Sequence, residues 1–400
     1  MKLLLKKIAF TVMMVAILEI GSDILLPGFP AKDYVNSIGQ NAYINLASSN
    51  FGSQITVPSL FALGMGPYMT ALIVWQTITI TSEDTFKRLS PKVTGFWQKL
   101  ITLIFSILQA IATAWLFMKY RPNMHGYSWL AFYFTILIIL VAGSMFIVWL
   151  ADLNAKWGVG GTSILIIPAL VKNLPTVLNS GLKHPIEFDF QISTVMILLM
   201  IVFFLMSVYT NQAEVRFKIE RVSISSRLTD SYIPIRLLAS GAMPFMFAMS
   251  LYSIPSLLLS RNKLNGTGHA FLAQAFSYHT WQGILTYSAI IVFLGYGFAF
   301  VNVRPHSIAK SLQKSGDYIL NIVPGKDTET YLTNHLYRII FIGNCFMLFI
   351  AVTPLFLGLY VPQLTNFSFL FGSLLILITM LDNVIQEVHA LFVKNQYSIF

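Results

Sequence analysis

Long apolar runs alternate with short polar segments along the whole chain of 400 residues. A helix crosses a hydrocarbon core of roughly 30 Å with about 20 residues, and ten apolar windows reach or approach that length. The windows lack the strict apolar–polar alternation of outer-membrane strands. We therefore predict an all-α membrane protein with ten transmembrane helices. The windows lie near residues 8–27, 60–80, 97–118, 129–150, 162–178, 191–209, 237–259, 281–302, 337–357 and 364–384.

Composition supports the membrane class, and charge orients the chain. Hydrophobic residues make up 56% and charged residues only 10%, with a mean hydropathy of +0.70. A soluble domain cannot cover so much apolar surface with so few charges. An even number of helices places both termini on one side. With both termini inside, 19 Lys or Arg residues fall in inner segments against 7 in outer ones, so we expect cytoplasmic termini.

Basic charge on the inner face has two interpretations. It attracts anionic lipid headgroups, or it docks an acidic or nucleic-acid-bearing partner. Much of it lies in two long inner segments, 211–236 and 303–336, which are rich in both signs of charge.

The number of windows also suggests an internal symmetry. Five windows precede the outer loop at 179–190 and five follow it, so the halves 1–185 and 186–400 would lie inverted in the membrane. This arrangement places functional sites at the interface of the two halves.

Catalytic signatures are nearly absent, and the histidines have no metal-ligand spacing, so we expect neither an enzyme nor a cofactor or metal. Glu19 and Asp23 share one face of the first helix. They form a proton or cation site, or they face water or a partner helix near the outer surface. We expect no charge facing them from another window. A small-solute transporter would need a polar midplane site, and an enzyme acting on lipid-linked sugars would need clustered acids or histidines.

Five stretches resemble, in the same order, the SecY family of protein-translocation channels. The most specific is "GDYILNIVPGKDTETYLTNHLYRIIFIG", which looks like the last large cytoplasmic loop of that family. The stretches are Glu19–Gly28, Phe61–Gln76, Phe132–Asp152, Gly316–Gly343 and Ser373–Glu387. The resemblance implies an hourglass channel of two inverted five-helix halves, closed by a plug, that exports proteins across the plasma membrane.

The same resemblance implies partners. A separate SecA-type ATPase motor would hydrolyse ATP, and small SecE-like and SecG-like or accessory membrane subunits would complete the translocase. The substrate would be an unfolded secretory polypeptide. Val323 stands where the family usually has an arginine that contacts cytoplasmic partners, and Glu19 replaces another arginine. With these departures, the chain resembles the accessory SecY branch of Gram-positive bacteria. The resemblance implies a channel that exports serine-rich glycosylated adhesins. The alternative is an ordinary housekeeping SecY of a divergent bacterium.

The family pattern also implies where this channel is sealed. The plug would occupy about residues 44–57, where small uncharged polar side chains suit a segment that moves between water and a funnel. Gly64, Gly66 and Pro67 would soften the helix that follows. The implied plug residues are Ser48, Ser49, Asn50, Gly52, Ser53 and Gln54.

A ring of mostly apolar side chains closes the pore of the family at its waist. Such a ring excludes ions by dewetting, and methionine is flexible enough to stretch around a peptide. The implied ring residues are Met65, Met69, Thr162, Ile166, Met246 and Ile376.

Dense basic charge in the two long inner segments makes them the expected docking face for the motor. The expected docking residues are Arg216, Lys218, Arg221, Arg227, Lys310, Lys314 and Lys326.

Overall fold

A computed structural model describes residues 2–29, 58–81, 90–118, 128–179, 190–220, 231–248, 251–252, 274–278, 280–360 and 365–397. Its helices are α1 (Lys2–Asp23), α2 (Gly66–Thr81), α3 (Pro91–Met118), α4 (Trp129–Trp157), α5 (Ile167–Asn179), α6 (Phe190–Gln212), α7 (residues 243–248), α8 (Trp281–Val303), α9 (Pro305–Ser315), α10 (Lys326–Tyr360) and α11 (Thr365–Tyr397). A 3₁₀ turn, Ser163–Leu165, precedes α5, and two strands, β1 (Glu214–Lys218) and β2 (Tyr232–Arg236), form an antiparallel hairpin.

The helical class expected from the apolar windows is confirmed. Within the described residues, five helices are long and apolar enough to cross a membrane. They are Lys92–Met118, Trp129–Trp157, Trp281–Ser315, Lys326–Tyr360 and Thr365–Val393. Helices α1, α2, α5 and α6 coincide with four further windows. The total of ten spans remains a prediction.

The chain divides into two compact units. The first unit comprises Met1–Ile186 and Leu377–Phe400. In it α2 packs on α3, α3 on α4, and α4 on α1. The buried hydroxyls of Ser106 and Ser144 hydrogen-bond each other between α3 and α4. Small residues of this kind let membrane helices approach closely.

The second unit comprises Glu187–Ile376, and its centre is the pair α8 and α10. The Asn344 amide on α10 donates to the Val292 carbonyl of α8 at 3.4 Å. A Cβ added at Gly295 would lie 2.0 Å from Asn344 Oδ1, so the absence of a side chain there permits this close contact.

The expectation that two glycines and a proline soften the second helix was wrong. α2 begins at Gly66, so Gly64 lies before the helix in a left-handed conformation (φ 54°) and Pro67 lies in its first turn. The amide that proline lacks has no intrahelical partner at that position. These residues therefore set where α2 starts and do not weaken its interior.

Candidate channel constriction and docking surface

The segment 211–236 contains a β-hairpin that the sequence analysis did not predict. Phe217 pairs with Ile233 and Lys218 with Tyr232 in an antiparallel register. Because successive side chains of a strand alternate between faces, Phe217 and Ile235 point to one side and the charged residues to the other. The first two are buried, with 6% and 3% of their surface exposed.

The hairpin packs onto the second long polar segment, 303–336, through an apolar cluster. Phe217 and Ile235 join Ile319 and the buried residues Leu332, Leu336, Ile339 and Ile340 of α10. The Phe217 ring lies 6.1 Å from that of Tyr331. We call this assembly of β1, β2, α9 and the first turns of α10 the loop body.

Backbone hydrogen bonds also connect the two segments directly. Glu220 donates its N–H to the Tyr318 carbonyl at 2.8 Å, and Tyr318 donates its N–H back to the Glu220 carbonyl at 3.1 Å. This isolated antiparallel bridge extends the hairpin by one contact with the other segment. The two polar segments therefore form a single structure.

Helix α9 is held between two left-handed residues. Arg304 (φ 49°) ends α8, and Pro305 then occupies the first turn of α9, where its fixed φ suits a helix. Gly316 (φ 77°) caps the other end. His306 Nδ1 lies 2.9 Å from Glu329 Oε2 and so links α9 to α10. Lys310 and Lys314 are four residues apart and share one face of the helix.

The structure places five of the seven expected docking residues on the loop body. We call them the docking surface: Arg216, Lys218, Lys310, Lys314 and Lys326. Arg221 and Arg227 lie outside the described residues. Lys218 and Lys326 are exposed, and so is Lys314 in the last turn of α9. All five therefore belong to one folded element of the second unit.

Arg216 makes two contacts within the hairpin. Its Nε donates to Glu214 Oε1 at 2.7 Å, and its guanidinium lies 4.7 Å from the centre of the Tyr232 ring. The hydrogen bond to Glu214, with smaller contributions from the charges of Tyr232 and Glu214, raises the pKa of Arg216 above its ordinary value. Glu214 therefore partly balances the charge of Arg216 within the hairpin.

Two apolar side chains are exposed in the same polar segment, 303–336. Val323 exposes 67% of its surface and Leu320 exposes 60%. The backbone beneath Val323 is fixed, because its carbonyl accepts a hydrogen bond from the buried Thr328 hydroxyl at 2.9 Å. The position where the SecY pattern has an arginine therefore presents an apolar side chain to solvent.

Four expected ring residues belong to the first unit, at the start of α2 and at the entry to α5. Met65 and Met69 are buried and one helical turn apart, and the Met69 N–H donates to the Met65 carbonyl at 3.0 Å. Ile166 is fully buried and Thr162 partly buried. The Tyr68 hydroxyl lies next to Thr162 and so links α2 to the entry of α5.

The other two expected ring residues belong to the second unit. Met246 lies in α7 and Ile376 in α11, and both are buried. α7 packs against α11 at Gly372, where an added Cβ would lie 3.1 Å from the Phe245 ring. Ile376 follows Gly372 by one turn. Each unit thus contains buried residues that the resemblance assigns to the ring. The plug residues Ser48 to Gln54 lie outside the described residues.

The expectation that no other window faces Glu19 and Asp23 was wrong. Lys172 of α5 lies 3.5 Å from Glu19 Oε2 and 3.3 Å from Asp23 Oδ1. The face of α5 that contacts α1 depends on how the helices pack in three dimensions. The apolar windows of the sequence do not contain that information. Two carboxylates that share a lysine form an ion-paired contact between α1 and α5. This pairing supports the interpretation that they face a partner helix.

Solved translocation channels share this fold. A protein-conducting channel covers 99% of the chain with a TM-score of 0.63 at 18% identity, and this chain covers 95% of it. Sec61 in the canine ribosome–channel complex gives a TM-score of 0.58 at 17% identity, with coverage of 99% and 95%. The fold is therefore that of the SecY and Sec61 class of membrane channels.

The SecY family model matches residues 59–385. A relative from Leuconostoc gelidum subsp. gasicomitatum, named accessory Sec system protein translocase subunit SecY2, is 31% identical, covering 99% of this chain and 96% of the relative. A relative of the same name from Streptococcus salivarius is 29% identical, covering 98% and 96%. The chain belongs to the SecY family, which confirms the expected protein-translocation channel and its multi-pass membrane class.

Proposed function

We propose that this chain is the channel subunit of an accessory Sec translocase that exports serine-rich glycosylated adhesins. The observation that carries the proposal is the likeness to accessory subunits over nearly the full length of both chains. The exposed Val323 supports it, because a channel served by a different motor does not need the usual arginine there. Both termini and the loop body lie in the cytoplasm, and the channel lies in the plasma membrane.

The mechanism that we propose is passive conduction through a constriction. The proposed constriction residues are Met65, Met69, Thr162 and Ile166 in the first unit, and Met246 and Ile376 in the second. An apolar waist excludes ions by dewetting and stretches around an unfolded polypeptide. The plug, about residues 44–57, closes the outer funnel above it. One solved relative by fold has a plug domain that stabilises the closed state and maintains a membrane seal.

Energy comes from a separate SecA-type motor of the accessory kind, and the chain itself catalyses no reaction. Small SecE-like and SecG-like or accessory subunits stabilise the two units. The basic docking surface also attracts anionic lipids. Export of a serine-rich adhesin in cells that lack this chain tests the proposal. Reintroducing the chain should restore export, and purification in mild detergent should recover the motor. Recovery of housekeeping SecA alone would contradict the accessory assignment.

The docking surface gives a prediction about salt. Changing Lys218, Lys314 and Lys326 together to Gln should weaken motor binding about tenfold at low salt, since each exposed charge pair contributes up to about 1 kcal/mol. The difference should shrink as salt rises, because screening shortens the range of exposed charges. Equilibrium binding of the purified channel to the motor across a salt series measures it.

A charge-matched control separates this surface from net charge. Lys6, Lys92 and Lys156 are exposed residues of the first unit, and their change to Gln removes the same charge elsewhere on the chain. This control should bind the motor like the parent. Equal weakening by both triple variants would show that only total charge matters, and the docking surface would then be wrong.

Val323 gives a prediction about motor choice. Val323→Arg should not improve export with the native motor, because the exposed valine faces a partner that does not use the arginine. It should increase affinity for housekeeping SecA. Leu320→Arg, an equally exposed position in the same loop, controls for added charge. A clear gain in export by the native motor from Val323→Arg alone would mean that the valine only removes a contact with the motor that an arginine would make.

A further inference from the structure

A short glycine turn joins α4 to the constriction. Residues 158–161, which we call the glycine turn, lie directly before Thr162 and the 3₁₀ turn Ser163–Leu165. Gly160 (φ 80°) and Gly161 (φ 56°) are left-handed, a conformation that costs glycine little. The Ile166 N–H donates to the Ser163 carbonyl at 3.1 Å, so Ile166 is bonded to the 3₁₀ turn that directly follows the glycine turn.

Polar side chains from three different helices hold the backbone of the glycine turn. Thr11 of α1 accepts the Val159 N–H at 2.8 Å. Asn154 of α4 donates its amide to the carbonyls of Val159 at 3.0 Å and Gly161 at 2.6 Å. Glu387 of α11 accepts the Gly160 N–H at 2.9 Å through Oε2. Thr11 and Val159 are both buried, so loss of the hydrogen bond from the Val159 N–H to Thr11 would leave a buried backbone donor unsatisfied.

Packing at the turn allows little adjustment. A Cβ added at Gly158 would lie 2.0 Å from Asn154 Oδ1 and 2.5 Å from Thr11 Oγ1. A Cβ added at Gly160 would lie 2.9 Å from a methyl group of Val384 on α11. Side chains are therefore excluded on the sides that face α1, α4 and α11.

We propose that Thr11, Asn154 and Glu387 are positioning residues of the constriction, which fix Thr162 and Ile166 by holding the glycine turn. Glu387 differs from the other two because its helix, α11, is far away in sequence from α1, α4 and α5. Its acceptor is a carboxylate, and a hydrogen bond to a charged group is about twice as strong as a neutral one. A tilt of α11 during opening would therefore pull on the entry to α5.

This inference rests on the proposed constriction. Glu387→Leu removes the acceptor, and Glu387→Gln keeps an oxygen at the same distance along the side chain. Glu387→Leu should increase the open fraction of the resting channel about tenfold, a factor that corresponds to about 1.4 kcal/mol. Glu387→Gln should restore part of the seal, because a neutral oxygen accepts a weaker hydrogen bond than a carboxylate. Thr11→Val, which keeps the volume but loses the acceptor, should leak in the same direction even if Glu387→Leu fails to insert.

Two measurements separate positioning from general stability. Single-channel conductance in planar bilayers reports the leak. Movement of the turn is measured in a chain that carries Thr162→Cys and Cys345→Ser. The rate at which a thiol reagent labels the cysteine at position 162 reports this movement, and it should rise when Glu387→Leu is added. His389→Leu is the control, since His389 is exposed on the same helix.

The outcomes also separate this inference from the proposed constriction. One outcome is that Met69→Asn leaks while Glu387→Leu and Thr11→Val stay tight and labelling of the cysteine at position 162 is unchanged. The inference is then overturned and the constriction stands. If all three variants stay tight, both are overturned. If Glu387→Gln leaks as much as Glu387→Leu, hydrogen-bond positioning is not the cause, and the inference is wrong.

Discussion

Replacing Met69 with Asn is expected to let ions pass through the resting channel. Met69 is buried one turn from Met65, where α2 begins. An amide at an apolar waist holds water that a thioether excludes, so the constriction wets more readily. We expect the open fraction in planar bilayers to rise about tenfold or more, since burying an unpaired amide in the closed waist costs about 1–3 kcal/mol. The requirement for a good export signal should relax as well.

Val74→Asn is the matched control, because Val74 lies on the same helix but is exposed. It should stay tight. Ile376→Asn, from the second unit, should leak like Met69→Asn. Deletion of Ser48 to Gln54 should also leak, and the deletion combined with Met69→Asn should exceed the sum of the two effects, because each layer masks loss of the other. If the two ring variants and the plug deletion all conduct as few ions as the parent channel, the proposed seal is wrong.

Phe217→Ala is expected to unfold the loop body while leaving the membrane helices in place. Phe217 is buried between the hairpin and α10, and its ring lies 5.6 Å from that of His335. Truncating a buried phenylalanine costs about 3–5 kcal/mol. A two-stranded hairpin is only marginally stable without such packing. We expect faster proteolysis within 211–236 and a loss of motor binding larger than that caused by removing three lysines.

Val215→Ala is the control for this variant. Val215 lies two residues earlier on the same strand and is partly exposed, so its truncation should cost less than about 1 kcal/mol. Limited proteolysis of the purified full chain measures both variants, with insertion checked separately. If Phe217→Ala leaves proteolysis and motor affinity at the level of Val215→Ala, the hairpin does not support the docking surface.

Much of the helical architecture could be predicted because membrane helices require long uninterrupted apolar runs. The hairpin could not be predicted as easily. "EVRFK" has only two apolar residues among three charged ones, and its partner strand contains Pro234. The signal that was present is the alternation of Val215 with Phe217 and of Ile233 with Ile235, which is typical of half-buried strands.

The site shows the same division between local and long-range information. The SecY resemblance implied Met65 and Met69 as ring residues, and the charge pattern indicated the basic segments, because each inference depends on a local stretch of sequence. The contacts of Lys172 with Glu19 and of Glu387 with Gly160 join residues more than 140 positions apart. Such contacts depend on which helix faces meet, and one sequence without aligned homologues does not contain that information.

The backbone bridge between Glu220 and Tyr318 has a consequence for how such channels can be recombined. A strand edge recognises its neighbour through register and twist as well as through side chains. Consider a chimera that carries 303–336 from a paralogue but keeps the native 211–236. In it, two strand edges that did not evolve together would have to pair. The two segments should therefore be exchanged as one cassette, and in natural lineages a change in one should be inherited with compensating changes in the other.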